Sequence, residues 1–150
     1  MLERKNTVEV VAVIMVVERR VLLVRKASTT RFMLPGGKRN PGEDDISCCV
    51  REIREELNLE LQPEKLQALG IHREEAANEP DTTVVAAVYE YVGTLGEPTV
   101  SAEIAEMKWL DLEEKQKEEA HLAPLLLKML PYIRSSTAHS IGSIKYCNNT

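Results

Sequence analysis

Apolar residues recur at helical spacing in the middle of the chain. Within residues 45–57 they return every three or four positions, which is the period of one face of an α-helix. The apolar stripe consists of Ile46, Cys49, Val50, Ile53 and Leu57. Asp44 and Asp45 suit the positive end of the helix dipole, and Asn58 follows the last turn, where asparagine often replaces glycine as the left-handed terminal residue. The pattern predicts a capped amphipathic helix.

Valine-rich runs on both sides of this helix predict strands. Residues 8–17 and 21–24 are separated by three charged residues, which predicts a hairpin although no Asn-Gly or Asp-Gly turn is present. Further strands are predicted at residues 66–72, 82–92 and 107–110. A second helix is predicted over residues 120–133, with Pro131 near its end.

The remaining segments predict loops and an extension. Residues 27–31 are small and polar, and residues 32–43 are dense in proline and glycine, so both are expected to lack regular structure. Residues 134–150 are rich in Ser, Thr and Asn and lack apolar periodicity, which predicts an extension of unknown role outside the core. The economical architecture is one α/β (α+β) domain over residues 1–133, with two helices on a mixed sheet.

Composition and charge limit the partners of this domain. The 150 residues include 24 Asp and Glu against 19 Lys and Arg, a formal net charge of −5. This surplus argues against binding to nucleic acid polymers or an anionic membrane by bulk charge, because phosphates are held by clustered cations. No stretch approaches the roughly 20 apolar residues that span a bilayer. Three cysteines, two of them adjacent, suggest no disulfide framework and predict a cytoplasmic location.

Three glutamates on the central helix are the strongest candidate for chemistry. Glu52, Glu55 and Glu56 stand at positions i, i+3 and i+4, so they share one face of the helix, where like charges repel. A hard divalent cation such as Mg²⁺ or Mn²⁺ would compensate this repulsion, since such ions prefer oxygen ligands. The spacing alone is equally consistent with a solvated acidic face.

The residues around the glutamates resemble a known motif. Gly37, Glu43, Arg51 and the run from Glu52 to Leu59 match the Nudix box, G-x5-E-x7-R-E-U-x-E-E-x-G-U, where U is apolar. One fixed position departs, because Asn58 stands where the box has its second glycine. The resemblance implies a Nudix α/β/α sandwich that hydrolyses a nucleoside diphosphate linked to another group, with Mg²⁺ or Mn²⁺ as cofactor.

The resemblance also implies roles for individual residues. Glu52, Glu55 and Glu56 match the metal-binding glutamates, and the carbonyl of Gly36 matches a backbone ligand. Arg51 matches the arginine that pairs with Glu43 and so supports the site, together with Gly37. An arginine fork on a carboxylate would hold loop to helix with two charge-assisted bonds.

The general base and the phosphate contacts are less determined by the motif. In the family the base is a box glutamate or a glutamate of a later loop, so Glu55 and Glu103 are the candidates, with Glu106 as the neighbour that could replace Glu103. Arg25 and Lys26 end the second predicted strand, and Lys38 lies inside the box. Each of these cations could contact phosphate or could serve only solubility.

The function predicted from these features is Mg²⁺-dependent hydrolysis of a (deoxy)nucleoside triphosphate, or a related nucleotide, to the monophosphate and pyrophosphate. The alternatives are a hydrolase of ADP-ribose or another nucleoside diphosphate derivative, and a non-catalytic module that binds nucleotide. The family resemblance further suggests a homodimer.

Overall fold

Two β-sheets and two helices build the described part of the fold. The computed structural model describes residues 6–77, 79–101, 103–113 and 121–135. A mixed sheet has the strand order β4–β1–β6–β5, formed by Gly36–Lys38 (β4), Asn6–Ile14 (β1), Thr82–Tyr91 (β6) and Leu66–Glu75 (β5). An antiparallel sheet has the order β2–β3–β7, formed by Val16–Val17 (β2), Arg20–Lys26 (β3) and Ile104–Asp111 (β7). The helices are α1 (Asp45–Leu57) and α2 (residues 124–135), and a 3-10 turn covers Pro63–Lys65.

A separate apolar cluster lies on each side of the sheets. Strand β1 shows the division, because Val11 and Val13 belong to the cluster that contains α1, whereas Ala12 and Ile14 belong to the cluster that contains α2. In its second half, residues 11–14, both faces of β1 are buried, which explains why every residue there is apolar. The predicted α/β/α arrangement of a mixed sheet flanked by helices is confirmed.

Helix α1 has the caps that its sequence predicts. The Asp44 carboxylate accepts a hydrogen bond from the Ser47 N–H at 2.7 Å. At the other end Asn58 is left-handed, with φ 57° and ψ 35°, and its N–H donates to the Arg54 carbonyl at 3.0 Å. Each end of α1 is thus capped by a hydrogen bond of the residue next to it in sequence. The bounds of the helix could therefore be predicted from local sequence.

The prediction of a single strand over residues 8–17 is wrong. The run breaks at Met15: β1 pairs with β4 and β6 in the mixed sheet, whereas β2 pairs with β3 in the other sheet. The hairpin therefore joins only β2 and β3. Its turn residues Glu18 and Arg19 both have positive φ, 52° and 64°, a conformation for which Asn-Gly is the usual signal.

Other element boundaries also differ from the predictions. Strand β4 lies inside the segment predicted to be irregular, because the two glycines allow a close antiparallel approach to β1. Helix α2 begins at residue 124, where Pro124 takes the first helical position that proline favours, and it continues past Pro131 to residue 135. Residue 120 and residues 136–150 lie outside the described residues. No helix in the described ranges is long and apolar enough to cross a membrane.

Candidate active site

The buried carboxylate of Glu56 forms the base of the site. Glu56 is 7% exposed, and its carboxylate accepts a hydrogen bond from the Gly36 N–H of β4 at 3.2 Å. Burial raises the pKa of Glu56 to about 8, although the nearby Lys26 and the Gly36 N–H act in the opposite direction. This carboxylate is therefore held in the protein without a cation that fully offsets its charge.

Glu52 lies one turn earlier against Gly37. Its side chain is 15% exposed, and a Cβ at Gly37 would overlap its carboxylate, so the glycine leaves the room that this side chain occupies. Burial also raises the pKa of Glu52, with a further contribution in that direction from Glu55. Glu52 and Glu56 thus both sit beside β4 in an environment that disfavours their negative charge.

Glu55 differs from the other two box glutamates. Its side chain is 58% exposed and accepts a hydrogen bond from Arg51 at 3.1 Å. Successive residues of a helix are rotated by about 100°, which is why Glu55 stays at the rim while its neighbour Glu56 is buried. The three carboxylates line one cavity but differ in exposure, with Glu56 buried and Glu55 at the rim.

Arg51 joins the loop after β4 to helix α1. Its Nε and Nη2 donate to the two oxygens of Glu43 at 2.7 and 2.8 Å, and Nη2 also donates to the Lys38 carbonyl at 2.9 Å. The hydrogen bonds from Arg51 and from the Asn40 N–H lower the pKa of Glu43 to about 2. The structure thus contains the two-bonded fork between Arg51 and Glu43 that the sequence predicts.

The two cations at the end of β3 face different surroundings. Arg25 donates to Glu106 at 3.0 Å and to the Thr29 carbonyl at 2.7 Å, so its guanidinium and Glu106 are paired with each other. A register shift between Arg25 and Lys26 interrupts the pairing of β3 with β7, and Lys26 lines the cavity beside Glu56. The sequence does not distinguish these two cations, because the β-bulge between them depends on the pairing of β3 with β7 and not on local residue types.

Glu103 reaches the same site from the loop before β7. Its carbonyl accepts a hydrogen bond from the Ala27 N–H at 3.1 Å, and its charge contributes to the raised pKa of Glu56. Of the candidates for general base, Glu55 and Glu103 therefore stand beside the buried carboxylates, whereas Glu106 is paired with Arg25.

These side chains line a cavity of about 580 Å³. The polar part contains the candidate metal and phosphate residues, namely Lys26, Gly36, Gly37, Lys38, Glu52, Glu55, Glu56 and Glu103. The apolar lining residues include Val8, Met33, Leu34, Val84 and Leu125. The lining therefore includes groups that can hold cations and phosphate as well as apolar side chains that can pack against the flat face of a nucleobase.

A family model described as the NUDIX domain matches residues 5–131. The chain belongs to the Nudix family. This membership confirms the family predicted from the box. Nudix hydrolases generally use divalent metal ions and act on nucleotide substrates.

Solved structures similar to this Nudix protein share its fold. A MutT NUDIX hydrolase from Burkholderia pseudomallei has a TM-score of 0.69 and 23% identity, over 85% of this chain and 98% of the other. The MutT protein from Methanosarcina mazei has a TM-score of 0.70 and 22% identity, over 91% and 99%. A bifunctional NMN adenylyltransferase/ADP ribose pyrophosphatase from Francisella tularensis, complexed with AMP and a manganese ion, has a TM-score of 0.60 and 18% identity, over 88% and 43%.

A curated relative is similar in sequence over part of the chain. The mRNA-decapping enzyme subunit 2 of Saccharomyces cerevisiae is 28% identical over 98 residues, which is 65% of this chain and 10% of the yeast protein. The Nudix chain thus spans about a tenth of the length of that relative.

The carboxylate oxygens of the box glutamates are suitable ligands for a divalent cation, although the three side chains do not point at one common position. Among the described residues, no three Asp, Glu, His or Cys side chains form a ready metal cluster. Glu55 is turned to Arg51, while Glu52 and Glu56 stand beside β4. Glu52 and Glu56 offer hard oxygen ligands, and their raised pKa values show that the neighbouring cations Arg51 and Lys26 offset their charge only in part. A hard divalent ion would supply the rest.

Gly37→Ala is expected to damage the site without unfolding the protein. The added Cβ would overlap only the end of the flexible Glu52 side chain, which can move away. We expect a melting temperature within a few degrees of wild type but about tenfold lower kcat/KM, because a small displacement of a ligand is costly. Gly36→Ala is the contrasting variant. Gly36 has φ 152°, and an added Cβ would overlap the backbone of Val11, so this substitution should lower the melting temperature strongly. Wild-type activity of Gly37→Ala would contradict this role of Glu52.

Proposed function

We propose that this chain is a Mg²⁺- or Mn²⁺-dependent Nudix pyrophosphohydrolase that cleaves a (deoxy)nucleoside triphosphate, or a related nucleotide, to the monophosphate and pyrophosphate. The observation that carries the proposal is the pair of carboxylates beside β4, the half-buried Glu52 and the buried Glu56. Both have raised pKa values and line a cavity large enough for a nucleotide. Burial of such groups costs stability, and that cost is understandable if they serve a bound cation.

The residues that line the cavity would have different roles in metal, phosphate and base binding. Glu52, Glu55, Glu56 and the Gly36 carbonyl would hold the divalent ions, and Glu55 would turn from Arg51 toward the cavity to do so. Bound divalent ions would screen the phosphates and acidify the attacking water. Lys26 and Lys38 line the same cavity, so their ammonium groups would hold phosphate oxygens. The apolar lining residues, which include Met33 and Val84, would contact the nucleobase.

Glu103→Gln is expected to lower kcat about a hundredfold, because Glu103 is the proposed base that removes a proton from water. Its support is the position of its charge near Glu56, on a loop held by the Ala27 N–H. Steady-state kinetics at saturating Mg²⁺ would measure the change.

Glu106→Gln is the matched control for that variant. It removes the same charge from the same strand end, but Glu106 is paired with Arg25, so kcat is expected to stay within about threefold of wild type. Near-normal activity of Glu103→Gln would move the base to Glu55, and a large loss only in Glu106→Gln would contradict the assignment.

A substrate panel tests the function itself. The panel would contain normal and oxidised (deoxy)nucleoside triphosphates, ADP-ribose and a capped dinucleotide, each with Mg²⁺ or Mn²⁺, and would measure the release of phosphate products. The capped dinucleotide is included because the yeast relative is named a decapping enzyme. Turnover of ADP-ribose or of the capped compound alone would replace the proposed substrate. Nucleotide binding without any turnover would identify a non-catalytic module.

We also propose that the protein is cytoplasmic and forms a homodimer. Cys48 and Cys49 are buried free thiols, which is compatible with a cytoplasmic location. A homodimer is expected from the family resemblance, and light scattering of the full chain would measure it.

A further inference from the structure

Asn58 makes contacts that the glycine of the Nudix box could not make. Its backbone has the left-handed conformation that ends α1, which glycine would adopt equally well. Its side-chain amide nitrogen, however, lies 3.0 Å from the Thr99 carbonyl, 2.9 Å from the Thr99 hydroxyl and 3.2 Å from the Ser101 hydroxyl. The departure from the motif therefore adds a link between α1 and a segment 41 residues later.

The linked segment leads directly to the proposed base. The Thr99 N–H donates to the Leu57 carbonyl at 2.9 Å, and the Ser101 N–H donates to the carbonyl of Glu56 at 3.1 Å. The segment thus binds the last turn of α1, including the backbone of the residue whose carboxylate lies at the base of the site. Glu103 follows two positions after Ser101, and its charge acts on Glu56.

We propose that Asn58 is a positioning residue for Glu103. Its amide holds Thr99 and Ser101 against the end of α1, and this contact sets where the loop leaves the helix and hence where the Glu103 carboxylate stands relative to Glu56. The catalytic part of this inference rests on the proposed function. Asn58 itself would not touch the substrate.

Two substitutions remove the amide without forcing the backbone. Asn58→Gly restores the residue of the box and keeps the left-handed conformation, whereas Asn58→Asp keeps the shape of the side chain but has no N–H to donate. In both variants kcat is expected to fall about tenfold while KM stays within about twofold, because the base is displaced but the cavity is unchanged. Glu60→Gln is the control, since this exposed partner of Arg54 lies at the same helix end and has no bond to the segment in the described structure.

Hydrogen exchange of the full chain gives a readout that does not depend on activity. The amides of Thr99 and Ser101 are expected to exchange at least about fivefold faster in Asn58→Gly and Asn58→Asp than in wild type and Glu60→Gln. The melting temperatures should change little, which would exclude general unfolding as the cause. Unchanged exchange in both variants would overturn the inference that the amide holds this segment.

A double substitution tests whether Asn58 acts through Glu103. If it does, Asn58→Gly should cause no further loss of kcat in a Glu103→Gln background. A full additional tenfold loss, or near-normal activity of Glu103→Gln alone, would overturn the positioning role. A wild-type chain that turns over no compound of the substrate panel would instead overturn the proposed function, and the exchange experiment would still decide whether Asn58 holds the loop.

Discussion

Glu56→Gln is expected to lower turnover of a nucleoside triphosphate at least about tenfold. The substitution removes the charge of the most buried box glutamate, which is proposed to bind a divalent ion. Its amide oxygen can still accept the hydrogen bond from the Gly36 N–H, so the contact with β4 should survive. Kinetics as a function of Mn²⁺ concentration would show whether the loss lies in metal affinity or in kcat.

Glu60→Gln is the matched control for Glu56→Gln. It makes the same change of charge four residues later along the chain, where Glu60 pairs with Arg54 at the surface. Its activity and its Mn²⁺ dependence should equal those of wild type, because exposed ion pairs contribute little. Wild-type activity of Glu56→Gln would contradict the metal assignment.

Without divalent metal, the protein is expected to lose stability as the pH rises from about 4.5 toward 8. The pKa of Glu56 is raised from its ordinary value of 4.5 to about 8 in the folded state, mainly by burial. The folded protein therefore binds this proton more tightly than the unfolded chain does. The contribution of Glu56 to stability is fully present below pH 4.5 and is lost as the pH rises through about 8. Urea unfolding in EDTA at pH 5, 6.5 and 8 would measure an expected decrease of a few kcal/mol.

Two comparisons make this result specific to the site. Glu56→Gln should be more stable than wild type at pH 8 in EDTA, because the unfavourable buried charge is absent. Mn²⁺ should raise the stability of wild type at that pH and raise that of Glu56→Gln much less, because an ion stabilises the folded state only as far as it binds to it. Glu43 does not interfere, because its pKa is lowered to about 2 and its contribution is lost only as the pH falls from 4.5 toward 2. A flat stability profile for wild type would contradict the account of Glu56.

Helix α1 and the box could be predicted because their signals are local. The spacing of the apolar stripe, the cap at Asp44 and the left-handed Asn58 all involve residues within one or two turns of each other. The pairing of Arg51 with Glu43 also lies within a short segment and could be expected from the motif. Such features depend little on the rest of the chain.

The strands were less predictable because their pairing joins distant segments. Nothing in the run of residues 8–17 marks Met15 as the point where the chain leaves one sheet for the other, since both faces of β1 are buried and periodicity is lost. Strand β4 is only three residues long and exists because β1 lies beside it. These elements are decided by tertiary contacts that override local preference.

For the site, the sequence by itself determined the residue types and their order along the chain: an acidic helix, a glycine-rich segment before it and a later glutamate. Only the tertiary structure decided that Glu56 is buried while Glu55 is exposed, that a bulge separates Lys26 from Arg25, and that Asn58 holds Thr99. The physical reason is that burial, charge pairing and pKa depend on which distant segments come together, whereas a motif records only spacing along one segment. Glutamates that count equally in the composition therefore differ in burial, pairing and pKa in the folded protein.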